Sequence, residues 1–282
     1  MEVVCRIADM HRRAEELRIH GKKIALVPTM GYLHNGHVSL MQIARDHADV
    51  VIVSLFVNPL QFGPHEDYAR YPRDWDRDIA IMNSAGVDMV FAPSVEEMYP
   101  NGFQTTVTVS RLTKTLCGLS RPGHFEGVTT VVAKLFLCTK PHVAVFGEKD
   151  FQQLVVIRRM VHDLGFDIQI IPAPIVRESD GLAMSSRNTY LNPAERQAAR
   201  CLSQSLFAAQ KLFEEGQRNA ATLIECARAR IEAEPLARID YIKICDATTL
   251  DEVTTITRDA VMPLAVYIGK ARLIDNVVLR LP

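Results

Sequence analysis

The sequence has no cysteine pair at CxxC spacing and no apolar run near the roughly twenty residues of a membrane span. Walker A, GxGxxG and GxSxG motifs are all absent. Nor is one charge in excess: 32 Lys and Arg stand against 33 Asp and Glu, a formal net charge of -1. Each absence removes a class. Without paired thiols, Cys5, Cys117, Cys138, Cys201, Cys226 and Cys245 read as packing residues rather than zinc ligands or a redox pair. The charge balance gives no global reason for nucleic-acid or membrane-surface binding, although a local basic site stays open. The missing signatures exclude a P-loop, a dinucleotide fingerprint and a serine-hydrolase elbow. Gly 14 and Pro 14 are too few for a fibrous or low-complexity chain. The N-terminal stretch MEVVCRIADMHRRAEELR carries charges where a signal peptide has an apolar core, so a cytoplasmic setting with reduced thiols is expected.

What is present suits a chain that buries a large core: 282 residues, 48% of them hydrophobic, with a length suggesting two domains. Strand-like segments at 24–28, 50–57, 88–92, 142–146 and 168–171 alternate with helical patterns at 38–47, 73–84, 127–139 and 151–164. The run VVIVSLFV reads as a strand buried on both faces, and the alternation predicts a parallel α/β sheet with right-handed crossovers. After residue 176 the pattern changes to helices at 193–214 and 219–233, then strands at 239–244, 261–267 and 272–279. Asn192-Pro193 supplies an N-cap followed by Pro at the first helical position. These readings divide the chain into an α/β domain, 1–175, and a smaller α+β domain, 176–282.

Five polar segments punctuated by Gly or Pro lie beside strand ends. In 27–37 (VPTMGYLHNGH), His34 and His37 share one face of a helical turn, where two imidazoles can donate to phosphate oxygens and stabilise charge on a pentacovalent phosphorus. A capped loop with two surface histidines fits the same spacing, as does a zinc pair, though further ligands are not nearby. In FVNPLQFG, Asn58 and Gln61 suit a small ligand with hydroxyl and carboxylate groups, or an ordinary Asn-Pro turn. SRPGHFEG offers Arg121 to an anion, or is a surface loop before a helix. FGEKDFQQ opens a helix with Lys149 able to reach phosphate and Gln153 one turn on. Asp150 there can cap the helix, or hold Mg²⁺ or a ribose. Met184-Ser185-Ser186-Arg187 presents two hydroxyls and a guanidinium that fit a triphosphate, or forms a polar turn. The set contains no nucleophilic triad. It fits phosphate chemistry carried out by positioning and charge stabilisation.

PTMGYLHNGH, FVNPLQFG, YPRDWDRD, SRPGHFEGVTTVVAKLF, FGEKDFQQL, DGLAMSSRN and GKARLIDN, in this order from Lys23 to Asn276, closely resemble the pantoate–β-alanine ligase family. The resemblance implies a Rossmann-like nucleotidyltransferase domain, shared with class I aminoacyl-tRNA synthetases, and a C-terminal α+β lid. His34-Asn35-Gly36-His37 is similar to the HIGH signature of that superfamily, and Met184–Arg187 stands where its KMSKS loop does. It also implies ATP as substrate, Mg²⁺, a homodimer, and a pantoyl adenylate between pantoate and β-alanine. By motif position, the catalytic groups would be His34, His37, Lys149 and Arg187. The ATP site would comprise Pro28, Met30, His37, Gly147, Lys149, Asp150, Val176, Met184, Ser185, Ser186 and Arg187. Met30, Gln61, Arg121 and Gln153 would hold pantoate, and Asp78 would lie near the metal.

Two positions depart from the family pattern. Cys117 stands where many relatives have Glu before the Gly, and Arg77 where some have another acid. Two other readings share this fold: a cytidylyltransferase-like enzyme, and a non-enzymatic nucleotide- or RNA-binding module. The first should lack the FVNPLQFG and SRPGHFEG pair. The charge balance and the absence of a Lys/Arg-rich run count against the second.

Overall fold

The computed structural model describes residues 1–64 and 66–281. The chain divides into two compact units. One comprises Met1–Glu148 and Val156–Pro174, the other Lys149–Val155 and Ile175–Pro282.

In chain order the first region runs β1 (Glu2–Val4), α1 (Ile7–Ile19), β2 (Ile24–Thr29), α2 (Asn35–His47), β3 (Val50–Leu55), α3 (Trp75–Ser84) and β4 (Met89–Phe91). Single turns α4 (Val95–Met98) and α5 (Cys117–Ser120) precede α6 (His124–Thr139), β5 (Val143–Gly147), α7 (Phe151–Asp163) and β6 (Gln169–Ala173). The strands form one sheet in the order β1-β4-β3-β2-β5-β6, and every pairing is parallel. This is the parallel sheet that the alternation predicted, in the Rossmann-like arrangement that the family resemblance implied. Ala25, Val27, Val51 and Val53 face a core that includes Met41 and Ala44 of α2. Their neighbours Ile24, Leu26 and Ile52 are also fully buried, so both faces of the sheet are covered, as continuous apolar strands require. From β2 the chain builds outward through β3 and β4, then returns to lay β5 on the other side of β2. The strand order therefore reverses between β2 and β5. At such a switch point the loops leave in opposite directions and open a crevice at the carboxyl ends of the strands.

The second unit contains α8 (Pro193–Ala198), α9 (Cys201–Glu214), α10 (Ala220–Glu232), β7 (Ala237–Ile242), β8 (Cys245–Asp246), β9 (Ala260–Ile268) and β10 (Ala271–Leu279). Its sheet is antiparallel, ordered β10-β9-β7, with β8 pairing on β9. Leu202, Leu206 and Phe213 of α9 and Leu223, Ala227 and Ile231 of α10 pack on Met262, Leu264, Val266, Leu273 and Val277.

The single helix expected over 193–214 is two helices. The Arg200 N–H reaches back only three residues, to the Gln197 carbonyl, and this tightening separates α8 from α9. β1 and α1 lie in the charged N-terminal stretch, where the sequence pattern predicts no element. β1 is an edge strand paired with β4, and only Met10 and Ala14 of α1 are buried, so their periodic signal is weak.

Candidate active site

The β2–α2 loop is fixed before it reaches its histidines. Gly31 has φ +83, and a Cβ there would stand 2.9 Å from both Asp78 Oδ2 and Leu55 Cδ1, so glycine is required twice over. Asp78, buried near the start of α3, accepts the N–H groups of Tyr32 and Leu33, each at 2.7 Å. Arg77 donates to the Leu33 carbonyl at 2.9 Å and stacks over the Tyr32 ring. Burial pushes the Asp78 carboxyl above its ordinary range, against the pull of the Leu33 and Tyr32 N–H groups. The departure at Arg77 therefore has a structural use here, as a second grip on the same loop.

His34 is the N-cap of α2. Its Nδ1 accepts from Gly36 N at 3.1 Å, while Nδ1 of His37 accepts from His34 N at 3.2 Å, a reciprocal capping box built from two imidazoles. The rings lie 4.1 Å apart between centroids. A nitrogen that accepts a backbone N–H carries no proton, so in both rings the proton sits on Nε2. The pair thus combines two Nε2–H donors with the positive end of a 13-residue helix, beside the switch point.

Gln61 is held from three directions. Asn58 caps the short 3-10 turn Pro59–Gln61 and donates to Gln61 Oε1 at 3.2 Å and to the Gly127 carbonyl at 3.0 Å. Tyr99 donates its hydroxyl to Asn58 Oδ1 at 2.8 Å. Gly127 admits the turn, because a Cβ there would lie 2.3 Å from the Leu60 carbonyl oxygen. The Gln61 amide nitrogen then meets Met30 Sδ at 3.1 Å, which brings together two residues expected at the pantoate site.

Arg121 makes two 2.6 Å bonds to Glu66 and a 3.3 Å bond to the Gln61 carbonyl. Its Nη1 also meets His124 Nε2 at 2.9 Å, so His124 donates from Nδ1 to the Gln61 carbonyl at 2.8 Å. Burial would raise the Glu66 carboxyl, but Arg121 outweighs it and holds the group below its ordinary value. In this structure Arg121 ties Gln61 and Glu66 to the start of α6. Cys117 is buried at the first position of α5, a packing environment. Pro28 lies in β2, and Gly147 ends β5 with open space where a Cβ would stand.

In the second unit Lys149 sits in the 3-10 turn Glu148–Asp150, its Nζ 3.8 Å from Asp150 Oδ2. Gln153 follows on the first turn of α7, half-buried. Residues 176–184 form a narrow hairpin: Arg177 bridges Ala183, and Met184 N donates to the Val176 carbonyl at 3.0 Å. Arg196 grips this hairpin through Glu178 and Asp180 at 2.7 Å each, and Asn188 donates to Glu178 and to the Ala183 carbonyl. Ser185 caps the 3-10 turn Ser186–Tyr190 by accepting the Arg187 N–H at 3.3 Å. Val176, Met184, Ser185 and Arg187 are thereby brought together.

The readings that sequence reasoning missed are the supports: Asp78 as a backbone acceptor, Arg77, Tyr99 and the Asp275–Asn276 pair of β10. The last left a signal as two adjacent polar residues between the apolar pairs Leu273–Ile274 and Val277–Val278. Among the described residues no group of three or more His, Cys, Asp or Glu side chains is placed to hold a metal ion.

A Rossmann-like parallel α/β sheet, with a helix capped at its switch point by two imidazoles, is an architecture suited to binding an anionic ligand. A family model described as pantoate-beta-alanine ligase matches residues 2–278, and the chain belongs to that family. It is 56% identical to a pantothenate synthetase of Thermoanaerobacter sp. (strain X514) over 276 residues, 98% of each chain. Against the pantothenate synthetase of Geobacter sulfurreducens the figure is 54% over 279 residues, 99% of each. The solved pantothenate synthetase of Thermus thermophilus superposes with a TM-score of 0.94 at 46% identity, covering 100% of both chains. A pantoate-beta-alanine ligase of Francisella tularensis, solved with beta-gamma ATP and beta-alanine, gives 0.80 at 36% identity, covering 99% of this chain and 97% of that one.

Proposed function

We propose that this ligase joins pantoate to β-alanine through a pantoyl adenylate. A pantoate carboxylate oxygen attacks the α-phosphorus of ATP, and the bond from that phosphorus to the bridging oxygen breaks to release pyrophosphate. The β-alanine amine then attacks the acyl carbon. The carbon–oxygen bond to AMP breaks, the amine gives up a proton, and pantothenate forms. No side chain needs to be a nucleophile, because the substrate carboxylate is one. The enzyme's part is to bring anions together and to neutralise charge that grows in the transition state.

The observation that carries this reading is the double-histidine cap of α2, in a chain matched to its ligase family over residues 2–278. His34 and His37 would donate their Nε2 protons to phosphate oxygens. Lys149 would neutralise charge on the reacting phosphate, and Ser185, Ser186 and Arg187 would bind the β- and γ-phosphates. Pro28, Gly147, Asp150, Val176 and Met184 would line adenosine. Gln61 and Gln153 would hold the pantoate hydroxyl and carboxylate beside Met30. Arg121 would act from behind Gln61, through Glu66 and the Gln61 backbone. Both Asp78 oxygens accept backbone N–H groups, which counts against Asp78 as a metal ligand. In this reading Mg²⁺ is carried by the ATP phosphates, and no step is assigned to it. A homodimer in the cytoplasm belongs to the same reading, and sedimentation equilibrium tests the dimer. No helix among the described residues is long and apolar enough to cross a membrane.

The deciding experiment supplies ATP, Mg²⁺ and pantoate without β-alanine. Pyrophosphate should form in an amount limited to the enzyme present, and β-alanine should then restore turnover with AMP as product. ADP and phosphate in place of AMP and pyrophosphate would overturn the adenylate scheme. Lys149→Ala should slow pyrophosphate formation by about two decades or more while the fold persists.

A further inference from the structure

Strand β10 carries one polar pair in an apolar setting. Leu273, Val277 and Leu279 belong to the core of the second unit. By strand alternation Asp275 points to the same face, between Leu273 and Val277, with a side chain 1% exposed. Asn276, 2% exposed, points to the other face. An apolar pair would fill these positions without taking a charge out of water, and a buried ion pair is seldom the more stable choice. The pair therefore needs a reason beyond stability.

Its partners supply one. Asp275 takes a bidentate contact from Arg177, at 2.6 and 3.0 Å. Arg177 also donates to the Gly181 carbonyl at 3.1 Å and lies over the Phe207 ring, so it fixes the hairpin that leads to Met184–Arg187. Burial raises the Asp275 carboxyl and Arg177 opposes that shift. On the opposite face, Asn276 Nδ2 donates to the Lys149 carbonyl at 3.0 Å. That carbonyl belongs to the peptide joining Lys149 to Asp150, in the turn from which the Lys149 side chain departs. Two adjacent residues of one strand thus grip, from its two sides, the two segments of this unit that carry phosphate-binding candidates.

We propose that Asn276 is a positioning residue for Lys149: by holding the Lys149 carbonyl it sets the direction in which the ammonium reaches the phosphate. Asp275, through Arg177, sets the hairpin beside it. This rests on the adenylation role given to Lys149 above. The consequence is a rate effect expressed through Lys149 alone, since a small misplacement of a charge-stabilising group costs rate more than binding.

The test is a double-mutant cycle on the full-length enzyme, read as single-turnover pyrophosphate formation from ATP and pantoate. Asn276→Ala should lower that rate by about tenfold to a hundredfold, with KM for pantoate and β-alanine within about twofold of wild type. In a Lys149→Ala background the same change should have no further effect. Asn276→Ser, with a hydroxyl too short for the Lys149 carbonyl, should repeat the result where the alanine variant folds poorly. A wild-type rate in a folded Asn276 variant would overturn the proposal, as would an equal fold-loss in both backgrounds. If Lys149→Ala itself kept the wild-type rate, the role of Lys149 would fall, and the proposal with it. A Lys149-dependent loss with an additive Asn276 effect would remove the proposal alone.

Discussion

The β2–α2 loop and the 176–188 segment both present groups suited to phosphate, but they are held by different physics. The first is fixed by side chains that accept or donate to backbone: Asp78 to two N–H groups, Arg77 to a carbonyl, and two imidazoles capping the helix they begin. The second is fixed by ion pairs, the buried pair of Arg177 with Asp275 and the part-exposed pairs of Arg196 with Glu178 and Asp180. Buried hydrogen bonds to backbone are short-ranged and little screened. Part-exposed ion pairs weaken with salt and with acid. The contrast suits a rigid anion cradle at the switch point and a more adjustable polar turn elsewhere.

Asp78→Ala should break the first arrangement most severely. It leaves two backbone donors without their acceptor, at about 1–3 kcal/mol each, and releases the loop that aims His34 and His37. A loss of about 2–5 kcal/mol in urea unfolding and at least about a hundredfold in pyrophosphate formation is expected. Near-wild-type values for both would mean that the loop holds itself. Gly31→Ala should cost less, about 1–3 kcal/mol, from positive φ and the 2.9 Å approach to Asp78 and Leu55. Thermal unfolding checks it, and an unchanged Tm would show that the loop can shift.

Arg196→Ala should have a smaller effect on the fold, about 1 kcal/mol, because its pairs are partly in water. Its effect should fall on ATP binding, raising KM by about tenfold at low salt and by less at high salt. The wild-type KM should itself rise with salt. A salt-independent KM in the wild type would deny that ion pairs set this segment.

The same contrast explains what could be read from sequence. The parallel sheet was legible because continuous apolar runs such as 50–55 alternate with helical patterns, and periodicity records burial. The segments bearing His34, Gln61, Lys149 and Ser185 were legible because Gly, Pro and polar residues interrupt those runs. The supports were not. Asp78 lies 45 residues from Leu33, and Arg177 lies 98 from Asp275. No local pattern encodes a hydrogen bond across such a separation. Arg121 shows the same limit from the other side: its loop suggested an anion, while the fold supplies Glu66 as its carboxylate. The break at Arg200 turns on one tightened hydrogen bond, which composition does not record.

Acid should separate the two regions most gently. The Arg196 hydrogen bond holds the Asp180 carboxyl below its ordinary 3.8, with burial opposing. A carboxyl depressed in the folded state adds stability above its unfolded value, and that contribution is lost as pH falls through the folded value. For Asp78 the sign is reversed. Burial raises its folded value, so the folded state binds a proton more readily than the unfolded chain, and this contribution grows rather than fades as pH falls toward the ordinary range. Acid below the ordinary 3.8 of an Asp carboxyl should therefore loosen the Asp180 end of the 176–188 hairpin before the β2–α2 loop. The Leu182 amide, which donates to Asp180, and the Leu33 amide, which donates to Asp78, report on each region directly. Hydrogen exchange at both, corrected for intrinsic rates over a descending pH series, should show Leu182 losing protection first. Loss at Leu33 first would mean that Asp78 is held in place by its charge, and the distinction between the two regions would fail.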